Sequence, residues 1–224
     1  MMILDIFRGN SSINEMLLTI LLIIPTLLIS LTVREVSHGY AAYLCGDSTA
    51  RNLGRLSLNP LKHLDPVGTL MLLLFGFGFA KPVPVVTRNF KKPRRDIVLV
   101  ALAGPFANFV LAFFGTFLLL LNAYFGGQNY FSVAANLFLT YFVLLNIGLG
   151  VFNLIPIPPL DGSRLLTVLL PPRAMMFFFN YERYIQLAIF LLLWLGVLDA
   201  PLIFLRSKIY YGFINFWSLL PIFR

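Results

Sequence analysis

Residues 14–45 read NEMLLTILLIIPTLLISLTVREVSHGYAAYLC. From Leu17 to Val33 only Thr19, Thr26, Ser30 and Thr32 interrupt an apolar run. That length matches the roughly 20 residues needed to cross a bilayer. Arg34-Glu35-Val36-Ser37-His38 then follows at helical spacing, and Gly46-Asp47 reads as the stop. The run is too long for a signal-peptide core and continues into polar residues, so it reads as a retained membrane helix.

The rest of the chain agrees with a lipid solvent. Of 224 residues 59% are hydrophobic and only 12% charged, about half the charged share of a soluble domain. So apolar a chain could not cover itself with polar groups in water. Further spans are expected over about 97–125, 131–154 and 185–198, with a tail at 202–220 that forms either another short span or an interfacial helix. Pro66 to Ala80 is apolar but short, and its Phe75-Gly76-Phe77-Gly78-Phe79 run is poor helix material. It reads as a re-entrant or strand-like insertion covered by the helices. The expected fold is therefore all-α and polytopic, with about four to six transmembrane helices. It forms one membrane-embedded domain over 1–224, with a core at about 14–170 and C-terminal helices at about 182–220.

The net charge of +8 is concentrated between Gly46 and Asp96, where nine lysines and arginines face Asp47, Asp65 and Asp96. A basic loop between apolar segments fits the positive-inside rule and contact with anionic lipid, and speaks against nucleic acid. With that loop in the cytosol, Glu35, His38 and Asp161 share the cytosolic membrane face. Cys45 is the only cysteine, so no intrachain disulfide can form.

Several residues could carry chemistry. Residues 34–38 lie one substitution from H-E-x-x-H, in which two histidines one helical turn apart chelate zinc and the glutamate activates the metal-bound water. Glu35 and His38 alone read equally as a polar pair at a helix interface. Asp161 is a carboxylate at membrane depth, which is normally paired or functional, or else the N-cap of a short helix after Pro159. Asn108 either faces such a site or bonds between helices. His63, the only other histidine, could in principle supply a missing metal ligand, but it reads rather as a solvated or hydrogen-bonded loop residue. Lys81-Pro82-Val83-Pro84-Val85 is either an exposed strand edge or a proline-rich turn.

Read in order, the chain contains Gly-Asp-Ser-Thr-Ala at 46–50 and Gly-Arg-Leu-Ser-Leu-Asn-Pro-Leu-Lys-His-Leu-Asp-Pro-Val-Gly-Thr at 54–69. Ala-Lys-Pro-Val-Pro-Val follows at 80–85, Ala-Gly-Pro-Phe-Ala-Asn at 103–108, and Phe-Asn-Leu-Ile-Pro-Ile-Pro-Pro-Leu-Asp-Gly at 152–162. This series, over about 14 to 170, resembles the small bacterial site-2 proteases, intramembrane zinc metalloproteases without an inserted peptide-binding module. The resemblance implies a zinc ion held by His38 and Asp161 together with a first histidine, whose place Arg34 takes. It implies Glu35 as general base and Asn108 as an inward-facing support. It also implies Lys81, Pro82, Val83 and Pro84 as an edge that receives an unwound transmembrane segment of a substrate protein. An added strand presents the scissile carbonyls that a helix hides. The implied setting is a bacterial plasma membrane, with the active-site face toward the cytoplasm.

Arg34 alters that expectation. Arginine offers five donors, no acceptor and a permanent charge, so it cannot ligate zinc. His38 and Asp161 are fewer than the three protein ligands of a catalytic zinc site. An unpaired arginine in a membrane helix costs roughly 2.5–3.5 kcal/mol, so Arg34 should find a partner. The resemblance implies that position 34 faces Asp161, so an Arg34–Asp161 pair is expected, while Glu35 points elsewhere on the helix. Three readings follow: a protease disabled at position 34, a pseudoprotease that binds transmembrane segments without cutting, or a small transporter or channel lined by Arg34, His38 and Asp161.

Overall fold

The computed structural model describes residues 13–65, 68 and 81–223. Apart from Gly68, the insertion expected at Pro66 to Ala80 lies outside the described residues. Helix α1 spans Ile13–Leu44, the short α2 Thr49–Asn52, α3 Pro93–Phe125 and α4 Tyr130–Asn153. Four further helices follow: α5 Ser163–Leu169, α6 Pro172–Asn180, α7 Glu182–Trp194 and α8 Asp199–Ser218. Three of these, α1, α3 and α4, are long and apolar enough to cross a membrane. Helices α7 and α8 qualify only as a pair, bent by 78° at the break between them. The protein is thus an all-α polytopic membrane protein, and the expected fourth span and tail form one bent unit. Helix α6 lies outside the segments expected to be helical, and Pro172 stands at its start, where proline is tolerated.

In α1, Ile23, Thr26, Leu27, Ser30, Glu35, His38 and Ala42 form one buried stripe at helical spacing, while Leu17, Leu21, Tyr40 and Leu44 stay exposed. The hydroxyls on that stripe are satisfied within the helix. Thr26 Oγ1 donates to the Leu22 carbonyl at 3.0 Å and Ser30 Oγ to the Thr26 carbonyl at 2.7 Å. Such bonds let polar side chains reside where no water is at hand.

Helices α3 and α4 pack closely because small residues line their seam. A Cβ at Gly150 would stand 2.7 Å from the Phe109 ring, so only glycine permits this approach. Ala112, Val143, Ile147 and Val151 form the apolar centre, covered from α8 by Leu202, Ile209, Tyr210 and Phe213. The Trp217 indole donates to the Phe113 carbonyl at 2.8 Å, which ties α8 to α3.

The loops on the basic side are held by one buried carboxylate. Asp47 accepts from the Thr49 hydroxyl, from the Val86 N–H at 2.7 Å and from the Asn89 amide at 2.8 Å. Burial pushes its carboxyl upward, but these bonds outweigh burial and hold it below the usual carboxylate range. Residues 81–86 run extended without helix or strand pairing. Lys81 N–H bonds the His63 carbonyl at 2.9 Å, and Arg55 donates to the Lys81 and Pro82 carbonyls. His63 is buried rather than solvated, with Nε2 2.7 Å from the Ser57 carbonyl.

Candidate functional site

The C-terminal part of α1, the first turns of α3, the C-terminal end of α4 and the loop after α4 meet around Arg34. Its Nη2 donates to Asp161 Oδ2 at 2.6 Å, and its Nε reaches the same oxygen at 3.2 Å. The expected ion pair is therefore present. The guanidinium also reaches Glu35 Oε1 at 2.9 Å and Asn153 Oδ1 at 3.1 Å. Glu35 does not point elsewhere as the helical spacing suggested. Adjacent residues leave the helix in different directions, but the arginine side chain is long enough to curl back onto its neighbour's carboxylate.

His38 lies one turn further along α1. Its Nδ1 is 2.7 Å from the Val100 carbonyl of α3, and its Nε2 is 3.2 Å from Asp161 Oδ2. A carbonyl only accepts, so Nδ1 carries a proton and Nε2 is the nitrogen turned toward Asp161. The ring fits because α3 presents Gly104 there. A Cβ at that position would stand 2.1 Å from Nε2.

Asp161 is delivered by the Leu154–Gly162 loop, which is closed by a bond from Gly162 N–H to the Asn153 carbonyl at 2.7 Å. It does not cap the following helix: α5 begins at Ser163, its N-cap is Gly162, and no side chain caps it. Charge-assisted bonds to a guanidinium are stronger than a bond to a neutral N–H, so the carboxylate turns to Arg34.

Glu35 is engaged on both oxygens, since Oε2 accepts from the Val83 N–H at 3.0 Å. The expected substrate edge is thus joined to the expected general base, and the Lys81 and Pro82 carbonyls are already taken by Arg55. Arg34, Glu35, His38, Pro82, Val83 and Asp161 line one cavity of about 830 Å³, walled on its apolar side by Leu31, Phe90, Leu149 and Phe152. Lys81, Pro84 and Asn108 are outside its lining. Asn108 is fully buried, and neither of its side-chain polar atoms has a partner among the described residues. Being one turn from Gly104, it lies on the α3 face that meets His38.

Sequence reasoning did not single out Asn153, the Val100 carbonyl or Arg164, which also lines the cavity. Asn153 had a signal available, as a polar side chain in the last turn of an apolar helix. A backbone carbonyl leaves no trace in residue type.

The residues present do not fit a catalytic zinc ion. The guanidinium occupies the space beside Asp161 Oδ2, and a cation already bound there repels a second. Among the described residues no group of three His, Cys, Asp or Glu side chains is poised to hold a metal.

An apolar helical bundle thus gathers a buried glutamate, a buried histidine and a half-buried loop aspartate around one cavity. Comparison with known proteins supplies the family. Residues 124–196 match peptidase family M50. YwhC of Bacillus subtilis, named as a candidate zinc metalloprotease, is 49% identical over 67% of this chain and 69% of its own length. Rip2 of Mycolicibacterium smegmatis, named likewise, is 33% identical over 63% of this chain and 54% of its own length. MJ0611 of Methanocaldococcus jannaschii is 32% identical over 45% of this chain and 49% of its own. The chain thus spans about half the length of the last two. No solved structure matches significantly. The chain belongs to peptidase family M50.

Proposed function

We propose that this chain is a pseudoprotease of the site-2 protease type, which engages transmembrane segments of other membrane proteins without hydrolysing them. The carrying observation is the 2.6 Å bond from Arg34 Nη2 to Asp161 Oδ2, which puts a guanidinium where the family places a metal ligand. Zinc, where a member of such a family holds it, lowers the pKa of a bound water to about 7. A guanidinium has no vacant orbital to bind water and does not give up a proton near neutral pH. Glu35, bonded to Arg34 and to the Val83 N–H, is held as a structural acceptor rather than as a base. The apolar wall of the cavity and the extended Lys81–Val86 segment support the binding half of the reading. The proposed setting is a bacterial plasma membrane, multi-pass, with this cavity toward the cytoplasm.

The test is zinc quantification on the purified protein and on Arg34→His, beside cleavage and binding of a model transmembrane peptide. The parent should carry less than about a tenth of a zinc ion per chain and bind the peptide uncut. Arg34→His should carry about one, completing a three-ligand set, and cut the peptide. Stoichiometric zinc with cleavage in the parent would overturn the proposal. Failure of Arg34→His in both respects would favour instead a transport role for the Arg34, His38 and Asp161 line.

A further inference from the structure

We propose a second site, an anionic phospholipid site in the cleft where α1 ends and α3 begins, separate from the cavity around Arg34 and independent of whether the chain hydrolyses anything. The cleft encloses about 490 Å³. Its lining includes Lys91, Lys92 and Arg95 together with Ala41, Leu44 and Leu99.

The frame that carries the cations is bonded in place. Lys91 N–H donates to the Cys45 carbonyl at 3.0 Å, which joins the start of α3 to the end of α1. Lys92 N–H donates to Asp96 Oδ2 at 2.8 Å, which closes the first turn of α3. Asp96 is the one carboxylate in the lining. It is 3% exposed and already engaged, while the Arg95 side chain is 67% exposed, with Nε 3.7 Å from Asp96 Oδ1. Three cations therefore face a single committed carboxylate.

The apolar side distinguishes a lipid from other anions. Leu44 and Leu99 belong to membrane-spanning helices and are 60% and 42% exposed. The apolar wall thus continues onto the surface that meets acyl chains. A phosphodiester oxygen fits against Lys92 and Arg95 while the first acyl carbons lie along Leu44 and Leu99. A zwitterionic headgroup would bring its own ammonium toward the three cations and be disfavoured. Inorganic phosphate or nucleic acid would use the cations and leave the apolar wall empty. A bound lipid would brace the α1–α3 joint, which also carries His38 and its Val100 partner.

Native mass spectrometry of the full chain in neutral detergent, titrated with phosphatidylglycerol or phosphatidylcholine, tests this. The parent should retain one phosphatidylglycerol in preference to phosphatidylcholine. Lys92→Gln with Arg95→Gln should weaken that retention about tenfold or more. Lys92→Arg with Arg95→Lys should retain it, which separates lost charge from lost folding. Arg88→Gln with Arg94→Gln removes the same charge from nearby exposed positions outside the cleft, and should change retention little. An equal loss in that control pair would mean diffuse surface charge and overturn the site. So would displacement of the lipid by millimolar inorganic phosphate, or no preference between the lipids in the parent.

Discussion

Arg34→Met isolates what the guanidinium does. Methionine keeps an unbranched apolar stem but donates nothing. The change removes bonds of 2.9, 3.1 and 2.6 Å to Glu35, Asn153 and Asp161. It leaves two carboxylates around a vacated position with no arginine between them. Removing one member of a buried ion pair costs about 3–5 kcal/mol. The Arg34 and Asp161 side chains keep 15% and 19% exposure, so water reaches them and the low end, about 3 kcal/mol, applies. For a chain of this length each kcal/mol moves the midpoint by about 2–4 °C, which predicts a fall of about 6–12 °C. The assay is equilibrium unfolding of the purified protein in detergent, with Arg34→Met, Asp161→Asn and the double variant compared as a cycle. The double variant should be less destabilised than the sum of the singles by about 2 kcal/mol, because it removes the stranded charge along with its partner. Arg34→Met within about 0.5 kcal/mol of the parent, or strict additivity in the cycle, would refute the claim that this contact links the spans.

Asp47→Asn should cost about 2 kcal/mol, since an amide turns a donor toward at least one of the N–H groups that the carboxylate accepts. Because the folded-state pKa of Asp47 lies below its unfolded value of about 3.9, its contribution is complete above that value and lost as pH falls through the folded pKa. Unfolding measured between about pH 6 and 2 should therefore show the parent losing its advantage over Asp47→Asn toward the acid end, and a constant gap would contradict this. Gly104→Ala should displace the His38 ring, which its Cβ would meet at 2.1 Å, with a cost of about 1–3 kcal/mol. Combined with Arg34→His it should also abolish zinc uptake, and unchanged zinc content in that double variant would show the ring free to move aside.

Much of the architecture was legible because its causes are local. Lipid demands about 20 apolar residues per span, so α1, α3 and α4 can be read from composition, and their described limits fall within a few residues of the expected ones. The need of Arg34 for an acidic partner follows from the cost of an unpaired charge in a membrane. The bent α7–α8 pair was less legible, because α8 is held against α3 and α4 by long-range contacts such as Trp217 to the Phe113 carbonyl.

The chain alone determined the set of spans and the run Arg34-Glu35-Val36-Ser37-His38, one substitution from H-E-x-x-H. Each depends only on residue type and spacing. The tertiary structure decided that one guanidinium bridges Glu35, Asn153 and Asp161, that Asp161 leaves its helix uncapped to do so, and that Val83 ties the extended segment to Glu35. Those choices rest on which groups packing brings within about 3 Å of one another. That proximity, and the competition among donors for the same carboxylate oxygens, has no counterpart in a local pattern.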